Sequence, residues 1–184
     1  MPDSRILEII DESDRVVGQA TRDEIHKKGL LHREIHVWFI TPEGNIIFQH
    51  RAKDKDTFPD LLDATVGGHV EPGDSYEKTA IKETEEETGI MPNPADLHLM
   101  LTFQKRSEDP ATKTINNTIR AQYAYMYRGN IHDLKIEEGK ALGFEAWPID
   151  SLAHLNDEDK KRFIYLILQP DMLDLFGKMK ALIK

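Results

Sequence analysis

Residues 67–90, GGHVEPGDSYEKTAIKETEEETGI, are the stretch that decides the fold. The glycines at its start predict a loop whose backbone can approach a ligand closely, and the acidic residues after them predict a short helix. Asp74, with Glu77 three residues later, matches a capping box at the start of this helix, and Gly89 is the expected left-handed residue at its end. The stretch therefore predicts a loop, a helix and a second loop in succession.

Three glutamates lie on one side of the predicted helix. Glu83, Glu86 and Glu87 stand at positions i, i+3 and i+4. Like charges at this spacing cost about 0.2–0.5 kcal/mol per pair, and the negative end of the helix dipole lies beside them. For three glutamates alone the plain interpretation is a solvated acidic face. The alternative is that a divalent hard cation, usually Mg²⁺, binds their oxygens and makes the cluster favourable.

The glycine loop and the spacing together resemble the signature of the Nudix hydrolases. That signature is Gly, five residues, Glu, seven residues, Arg-Glu, an apolar residue, any residue, Glu-Glu, any residue, Gly and an apolar residue. These positions match it outright: Gly68, Glu83, Glu86, Glu87, Gly89 and Ile90. Three positions depart from it, since Asp74 replaces Glu, Lys82 replaces Arg and Thr84 replaces the apolar residue. Lys82 keeps the charge of Arg but lacks the planar fork that holds a carboxylate bidentately.

The resemblance implies a metal-dependent hydrolase that cleaves a phosphoanhydride bond in a nucleoside diphosphate linked to a second group. It implies Mg²⁺ as cofactor, with Mn²⁺ as the alternative, because a bound metal activates water and screens phosphate oxygens. Glu83 and Glu87 are then the chief metal ligands, and Glu86 and the Gly68 carbonyl are further ones. Lys82 is expected to orient Glu83, so that Glu83, Glu86 and Lys82 form the catalytic set.

Substrate binding is predicted for Arg51, which ends a core strand, and for Gly67 and His69 in the glycine loop. Arg51 could equally pair with a glutamate of the predicted helix. The general base stays open among three acids that follow this helix, Glu137, Glu138 and Glu145. A nucleotide-binding regulator without turnover is a further alternative, which the replacement of Arg by Lys82 would allow.

The first half of the chain also resembles isopentenyl-diphosphate isomerase of the metal-dependent, Nudix-fold type. The matching segments are residues 29–33 (GLLHR), the run TFPDLLD that starts at Thr57, and the pair Gly68-His69. In that isomerase a cysteine just before the Gly-His pair does the acid/base work, whereas this chain has Gly67. We therefore interpret the chain as a member of the isomerase-like branch of the Nudix hydrolases and keep isomerase activity as a disfavoured alternative.

The same resemblance bears on the histidines. The metal-binding histidines of the isomerase align with His32 and His69, and His26 is a further candidate. Asn116 and Asn117 stand near the position of its glutamate ligands. His32 is otherwise expected to be a hydrogen-bonded structural residue, while His69 either touches the ligand or belongs to the loop alone.

Composition and charge limit the classes of partner. The formal net charge of −9 disfavours a nucleic-acid partner, but a small polyanion can still bind where a metal neutralises its phosphates. No apolar run is long enough to cross a bilayer, and the acidic start of the chain does not match a secretory signal. The chain has no cysteine, which excludes disulfides and a thiol nucleophile. We expect a cytoplasmic protein without nucleic-acid or membrane partners that binds a small nucleotide or diphosphate substrate.

The rest of the chain predicts strands around the central loop and helix. A hairpin over residues 6–19 precedes a short helix from Thr21, and C-terminal helices are expected over 157–183, interrupted at Pro170. The further predicted strands cover residues 35–40, 46–49, 97–103, 118–127, 131–136 and 143–147. This order indicates one domain over residues 1–184 of the α/β (α+β) class, and the family resemblance implies an α–β–α sandwich with a mixed sheet. The terminal helices either cap the core or form the seam of a homodimer.

Overall fold

The computed structural model describes residues 3–55, 57–110 and 112–183. In chain order its strands are β1 (Ile6–Ile10), β2 (Val16–Thr21), β3 (His32–Ile40), β4 (Asn45–Arg51), β5 (Leu62–Asp63), β6 (Val66–His69), β7 (Leu97–Glu108), β8 (Ile115–Met126) and β9 (Ala141–Pro148). Its α-helices are α1 (Arg22–Lys28), α2 (Tyr76–Thr88), α3 (Asp157–Lys160) and α4 (Pro170–Met179). The two strands β1 and β2 form the predicted N-terminal hairpin, and the glycine loop with α2 forms the predicted loop, helix and loop.

A mixed sheet lies at the centre of the molecule. Its strands follow the order β5-β4-β3-β8-β7, while β6 pairs with β3 and β9 pairs with β4. Strands β3 and β8 run parallel, and the other pairs are antiparallel. The mixed sheet confirms the predicted α/β (α+β) class.

Helices cover the two faces of this sheet, because the side chains of β3 alternate between two apolar cores. Trp38 and Ile40 enter one core, where Phe176 of α4 is fully buried. Val37 and Phe39 enter the other, where Ala80 of α2 is fully buried. Of the two alternatives for the terminal helices, capping the core or forming the seam of a homodimer, α4 therefore matches the first.

Helix ends follow local sequence signals with one exception. Gly89 ends α2 in the left-handed conformation, with φ of 72°, as predicted. The prediction of Asp74 as N-cap is wrong by one position, because the hydroxyl of Ser75 accepts the hydrogen bond from the backbone N–H of Lys78 at 3.1 Å. Asp74 instead forms an ion pair with the ammonium of Lys78.

Two predictions after the central helix are also wrong. The expected strand at 131–136 begins as a 3₁₀ turn, Ile131–Asp133. The first C-terminal helix, expected from residue 157 up to the interruption at Pro170, ends after the single turn of α3, because Phe163 bridges to Leu62 of β5. Pro170 begins α4 instead of only stopping the preceding helix, since its fixed φ and missing N–H suit the first turn. Within the described part of the chain, no helix has the length and apolar character needed to cross a membrane.

Candidate functional site

The glycine loop and α2 meet at the edge of the sheet. Strand β6 pairs with β3, which places Gly68 opposite Ile35 and Gly67 opposite His36. A Cβ added to Gly68 would lie 2.6 Å from the carboxyl carbon of Glu83. Only glycine therefore lets the Glu83 carboxylate pack against the loop backbone in this way.

Two of the three predicted glutamate ligands share one ammonium neighbour. The Nζ atom of Lys140 lies 3.5 Å from Oε1 of Glu87 and 3.8 Å from Oε2 of Glu83. The same Nζ lies 2.8 Å from Oε2 of Glu137. The side-chain amide of Gln49 donates a hydrogen bond to Oε2 of Glu87 at 3.0 Å. These contacts hold carboxylates from two segments of the chain around one cation.

Burial makes the charges of this cluster costly. Glu87 is only 4% exposed, and burial raises its pKa to about 7 even though Lys140 and Gln49 act in the opposite direction. Burial also raises the pKa of Glu83, which is partly offset by Lys140. For Lys140, burial alone would lower the pKa, but Glu87, Glu137 and Glu83 together raise it. The cluster therefore binds a proton or a cation more readily than a surface carboxylate does.

The two remaining members of the predicted catalytic set lie further out. Glu86 is exposed, and it acts on Glu83 only as a neighbouring negative charge. The ammonium of Lys82 donates to Glu71 at 2.8 Å, so the expected orientation of Glu83 by Lys82 is not found. Glu71 lies between β6 and α2, directly after the glycine loop.

The donor set at the cluster fits a hard divalent cation. Such ions prefer carboxylate oxygens, and Mg²⁺ binds them at about 2.1 Å. Glu83 and Glu87 offer two carboxylates, and the contact of Glu83 with Gly68 brings backbone next to them. Glu86 stands one turn away on the solvent side, where it could complete the coordination through water.

A cavity beside the cluster contains the predicted substrate residues. Gly67, His69 and Arg51 line it together with Glu83 and Glu87. Its apolar lining includes the side chains of Trp38, Phe58, Phe103, Ile164, Ile167 and Met172. A phosphorylated compound with an apolar or aromatic part would match this combination of walls.

Arg51 uses its guanidinium to hold the cavity wall. It donates to the carboxylate of Asp63 at 2.9 Å, to the carbonyl of Phe58 at 3.1 Å and to the carbonyl of Thr57 at 2.8 Å. The predicted alternative partner, a glutamate of α2, is therefore not its partner among the described residues. The contacts of Arg51 thus order the loop at 57–58, which forms part of the cavity wall.

A buried ion pair forms another part of the wall. The guanidinium of Arg120 on β8 donates to the carboxylate of Glu34 on β3, and the side-chain amide of Asn116 donates to the same carboxylate at 3.2 Å. Burial alone would raise the pKa of Glu34, but Arg120 and three nearby histidines hold it well below the usual range. The sequence offers no local signal for this pair, because its members meet only through the parallel pairing of β3 and β8.

Three histidines form a second group of metal-ligand atoms. One nitrogen from each of His26, His32 and His69 lies within 4.8 Å of the others. His26 and His69 approach at 3.0 Å, and Nδ1 of His32 contacts the carbonyl of Leu30 at 3.0 Å, as expected of a structural histidine. Burial lowers the pKa of His32 and of His69, which favours the neutral, metal-binding form. A tetrahedral ion would need nitrogens about 3.4 Å apart, so the group could hold one after small shifts of the rings that separate His26 from His69 and bring His32 closer.

The three candidate general bases differ in position. Glu137 is half-buried and contacts Lys140 beside the cluster. Glu138 is exposed. Glu145 pairs with Arg162 at 2.5 Å and accepts from the indole N–H of Trp147. Of the three, Glu137 is the one that the fold brings to the carboxylate cluster.

Sequence reasoning missed Lys140 and Gln49. Gln49 follows buried Phe48 on β4, so its side chain is expected on the opposite face of the sheet. Because α2 covers that face, the position of Gln49 gives a signal for its contact with Glu87. Lys140 carries no comparable signal, since it lies in a turn 53 residues beyond Glu87.

Comparison with known proteins assigns a family to this arrangement. The family model of the NUDIX domain matches residues 30–167 of the sequence. A protein of Clostridium acetobutylicum, named an uncharacterized Nudix hydrolase, is 31% identical over 158 residues, covering 84% of this chain and 75% of the relative. A Streptomyces coelicolor protein with the same description is 45% identical over 98 residues, covering 52% of this chain and 54% of the relative. The match thus spans about half the length of the second relative.

Solved structures share the fold at low sequence identity. DR0079 of Deinococcus radiodurans has a TM-score of 0.71 at 21% identity, covering 95% of this chain and 99% of that protein. The NUDIX domain of Shewanella oneidensis NrtR, solved with ADP ribose, has a TM-score of 0.57 at 15% identity, covering 84% and 88%. An Ap4A hydrolase of C. elegans has a TM-score of 0.53 at 13% identity, covering 82% and 96%. With the family match over residues 30–167 and the glycine-loop helix in place, the chain belongs to the NUDIX family.

Proposed function

We propose that the protein is a metal-dependent hydrolase that cleaves a phosphoanhydride bond in a nucleoside diphosphate linked to a second group. The observation that carries the proposal is the buried Glu87 carboxylate beside Glu83, with Glu83 packed on Gly68. Burying such charges is unfavourable unless a cation compensates them. Mg²⁺ or Mn²⁺ is the proposed cofactor, because both prefer oxygen ligands.

The side chains of the site have distinct proposed roles. A bound divalent ion would lower the pKa of water and screen the phosphate oxygens. Glu83 and Glu87 hold the ion, Gln49 orients Glu87 by its hydrogen bond, and Glu86 contributes from the solvent side. Arg51 orders the cavity wall through its contacts with residues 57–58. Glu137 is the proposed general base, because it lies closest to the cluster among the three candidates.

The nucleotide part of the proposal is supported by relatives of the fold. The NrtR domain was solved with ADP ribose, and another neighbour is named an Ap4A hydrolase. Both compounds contain phosphoanhydride bonds attached to nucleosides. The cavity that contains Gly67 and His69 has charged and apolar walls, which suits a substrate of this kind. We further propose that residues 1–184 act as one domain and that a homodimer, if formed, leaves α4 on the core.

Isomerase activity on isopentenyl diphosphate is the second candidate. The convergence of His26, His32 and His69 favours it, since the isomerase resemblance assigns histidines to a metal site. Gly67 argues against it, because glycine carries no acid/base side chain at the position where the isomerase has its cysteine.

A substrate screen tests the proposal. Nucleotide sugars, dinucleotides and CoA esters, together with isopentenyl diphosphate, are incubated with Mg²⁺ or Mn²⁺, and the products are separated by chromatography. Glu87→Gln is compared with Glu85→Gln, a matched change of an exposed glutamate on the same helix. We expect hydrolysis that falls by at least 100-fold in Glu87→Gln and persists in Glu85→Gln. Formation of the dimethylallyl isomer, or hydrolysis at the parent rate in Glu87→Gln, contradicts the proposal. Nucleotide binding without turnover by the parent would favour the regulator.

A further inference from the structure

Lys140 occupies an unusual position for a lysine. Its ammonium lies within 4 Å of three carboxylates, at 2.8 Å from Glu137, 3.5 Å from Glu87 and 3.8 Å from Glu83. Its side chain is 30% exposed, so the charge sits at the mouth of the cavity and not in open solvent. Two of these three carboxylates are the proposed chief metal ligands.

The backbone around Lys140 is built to deliver it there. The N–H of Lys140 donates to the carbonyl of Glu137 at 3.1 Å, and its own carbonyl accepts from the N–H of Ala52 at 3.0 Å. Gly139 adopts the left-handed conformation in this turn, with φ of 76°. The turn is therefore anchored to the end of β4, while the long side chain of Lys140 reaches across to α2.

A metal ion and the Lys140 ammonium compete for the same oxygens. A hard cation bound at about 2.1 Å from a carboxylate oxygen would face the ammonium across a few ångströms, and two positive charges at that separation repel strongly. The side chain of Lys140 has a flexible four-carbon stem and can move, whereas Glu87 is held in place by burial and by its hydrogen bond from Gln49. An ion bound to these carboxylates would therefore displace the Lys140 ammonium, which would stay tethered beside it through the backbone of its turn.

Three other basic side chains of the cavity have partners outside the carboxylate cluster. Their ion pairs are Arg51 with Asp63, Arg120 with Glu34, and Lys105 with Asp171. Lys140 differs from these because its partners are the metal-binding carboxylates themselves. A metal bound to these carboxylates would therefore free the ammonium to pair with another anion.

We propose that Lys140 exchanges partners: its ammonium occupies the metal position of the cluster in the metal-free protein and binds the diphosphate of the substrate once the metal has displaced it. The proposal rests on the proposed function, because it needs the metal site at Glu83 and Glu87. It makes Lys140 a substrate-binding residue that also lowers the affinity of the site for metal.

Binding measurements on Lys140→Gln test both halves. Mn²⁺ affinity is measured by calorimetry on the full chain at one pH. Binding of methylenediphosphonate, a diphosphate analogue that resists hydrolysis, is then measured at saturating Mn²⁺. We expect Lys140→Gln to bind Mn²⁺ at least tenfold more tightly and the analogue at least tenfold more weakly than the parent. Lys78→Gln is the matched control, because it removes a lysine of α2 whose partner is Asp74, and both affinities should stay within twofold of the parent.

The outcomes separate this proposal from the proposed function. Mn²⁺ binding of equal or lower strength in Lys140→Gln overturns the exchange of partners while leaving the metal site intact. Tighter Mn²⁺ binding with unchanged analogue binding overturns the substrate-binding half. If neither protein binds Mn²⁺, the proposed metal site fails and the exchange fails with it. Lys140→Ala, which also removes the ammonium, should show the same two changes and gives the answer if Lys140→Gln does not fold, whereas Lys140→Arg, which keeps the charge, should retain the parent affinity for the analogue.

Discussion

Replacing Glu87 by Gln should stabilise the metal-free protein although it removes a proposed metal ligand. Glu87 is 4% exposed, and its carboxylate accepts from Gln49 at 3.0 Å, a hydrogen bond that the oxygen of a Gln side chain can also accept. The substitution therefore keeps the volume and one polar contact while removing a buried negative charge. In EDTA we expect the free energy of unfolding at pH 8 to rise.

The size of the effect follows from the pKa of Glu87. A rise from 4.5 to about 7 on folding corresponds to about 3 kcal/mol, since each pH unit is worth about 1.4 kcal/mol. The folded state binds the proton more tightly than the unfolded state, so stability falls as the pH rises from 4.5 to 7 and the full cost is present above pH 7. The attraction of Lys140 is already contained in this pKa, so the expected gain at pH 8 is about 3 kcal/mol.

Urea denaturation in EDTA between pH 4.5 and pH 8 measures this effect, with the fluorescence of buried Trp38 as the signal. The parent should lose stability across this range more steeply than Glu87→Gln, and the two should converge near pH 4.5. Glu85→Gln, at an exposed position on the same helix, should differ from the parent by no more than about 0.5 kcal/mol. Two results would refute the reasoning: a Glu87→Gln variant that is no more stable than the parent at pH 8, or one whose stability depends on pH as steeply as that of the parent. Either result would mean that burying the charged Glu87 carboxylate does not destabilise the folded protein as we infer.

Three further predictions concern residues around the site and the core. Gly68→Ala should weaken Mn²⁺ binding at least tenfold in calorimetry with an unchanged circular dichroism spectrum, because its Cβ would lie 2.6 Å from the Glu83 carboxyl carbon; equal affinity would refute this. Arg120→Met should cost about 3–5 kcal/mol in urea denaturation by leaving Glu34 buried without its cation. The double variant with Glu34→Gln should recover most of that loss, and a single-variant cost below about 1 kcal/mol would contradict the argument. Phe176→Ala should cost about 3–5 kcal/mol in the same assay, since the ring is fully buried between α4 and the sheet; a smaller loss would mean that the core can close over the gap.

The part of the fold that could be predicted is the part encoded by neighbours in sequence. Gly29 and Gly89 end their helices because glycine adopts the left-handed conformation without strain. Each glycine directly follows a charged helical segment, so the sequence alone indicates where the helix ends. The N-cap of α2 was misplaced because Asp74 and Ser75 are both good capping residues, and local sequence does not choose between them. Only the position of the loop in the fold gives the role to Ser75.

Elements set by distant contacts could not be read in this way. The residues after α3 carry apolar side chains at helical spacing, yet Phe163 pairs with Leu62 because β5 offers it a backbone partner. Likewise, the spacing of the glutamates of α2 predicts that they cluster, but nothing in the local sequence predicts the lysine that pairs with them. Lys140 reaches Glu87 across 53 residues of sequence, and its own neighbourhood reads as an ordinary charged turn.

Three positively charged species can neutralise Glu87: a proton, the ammonium of Lys140 and a divalent metal. The raised pKa shows that the ammonium alone does not compensate the buried charge fully, because Lys140 lies 3.5 Å away and is shared with Glu83 and Glu137. A metal in direct contact with the carboxylate compensates it better, and below pH 7 it must first displace the proton. The instability that Glu87 imposes on the metal-free fold is thus the same free energy that favours metal binding, which is why one substitution should raise stability in EDTA and lower it, relative to the parent, at saturating Mn²⁺.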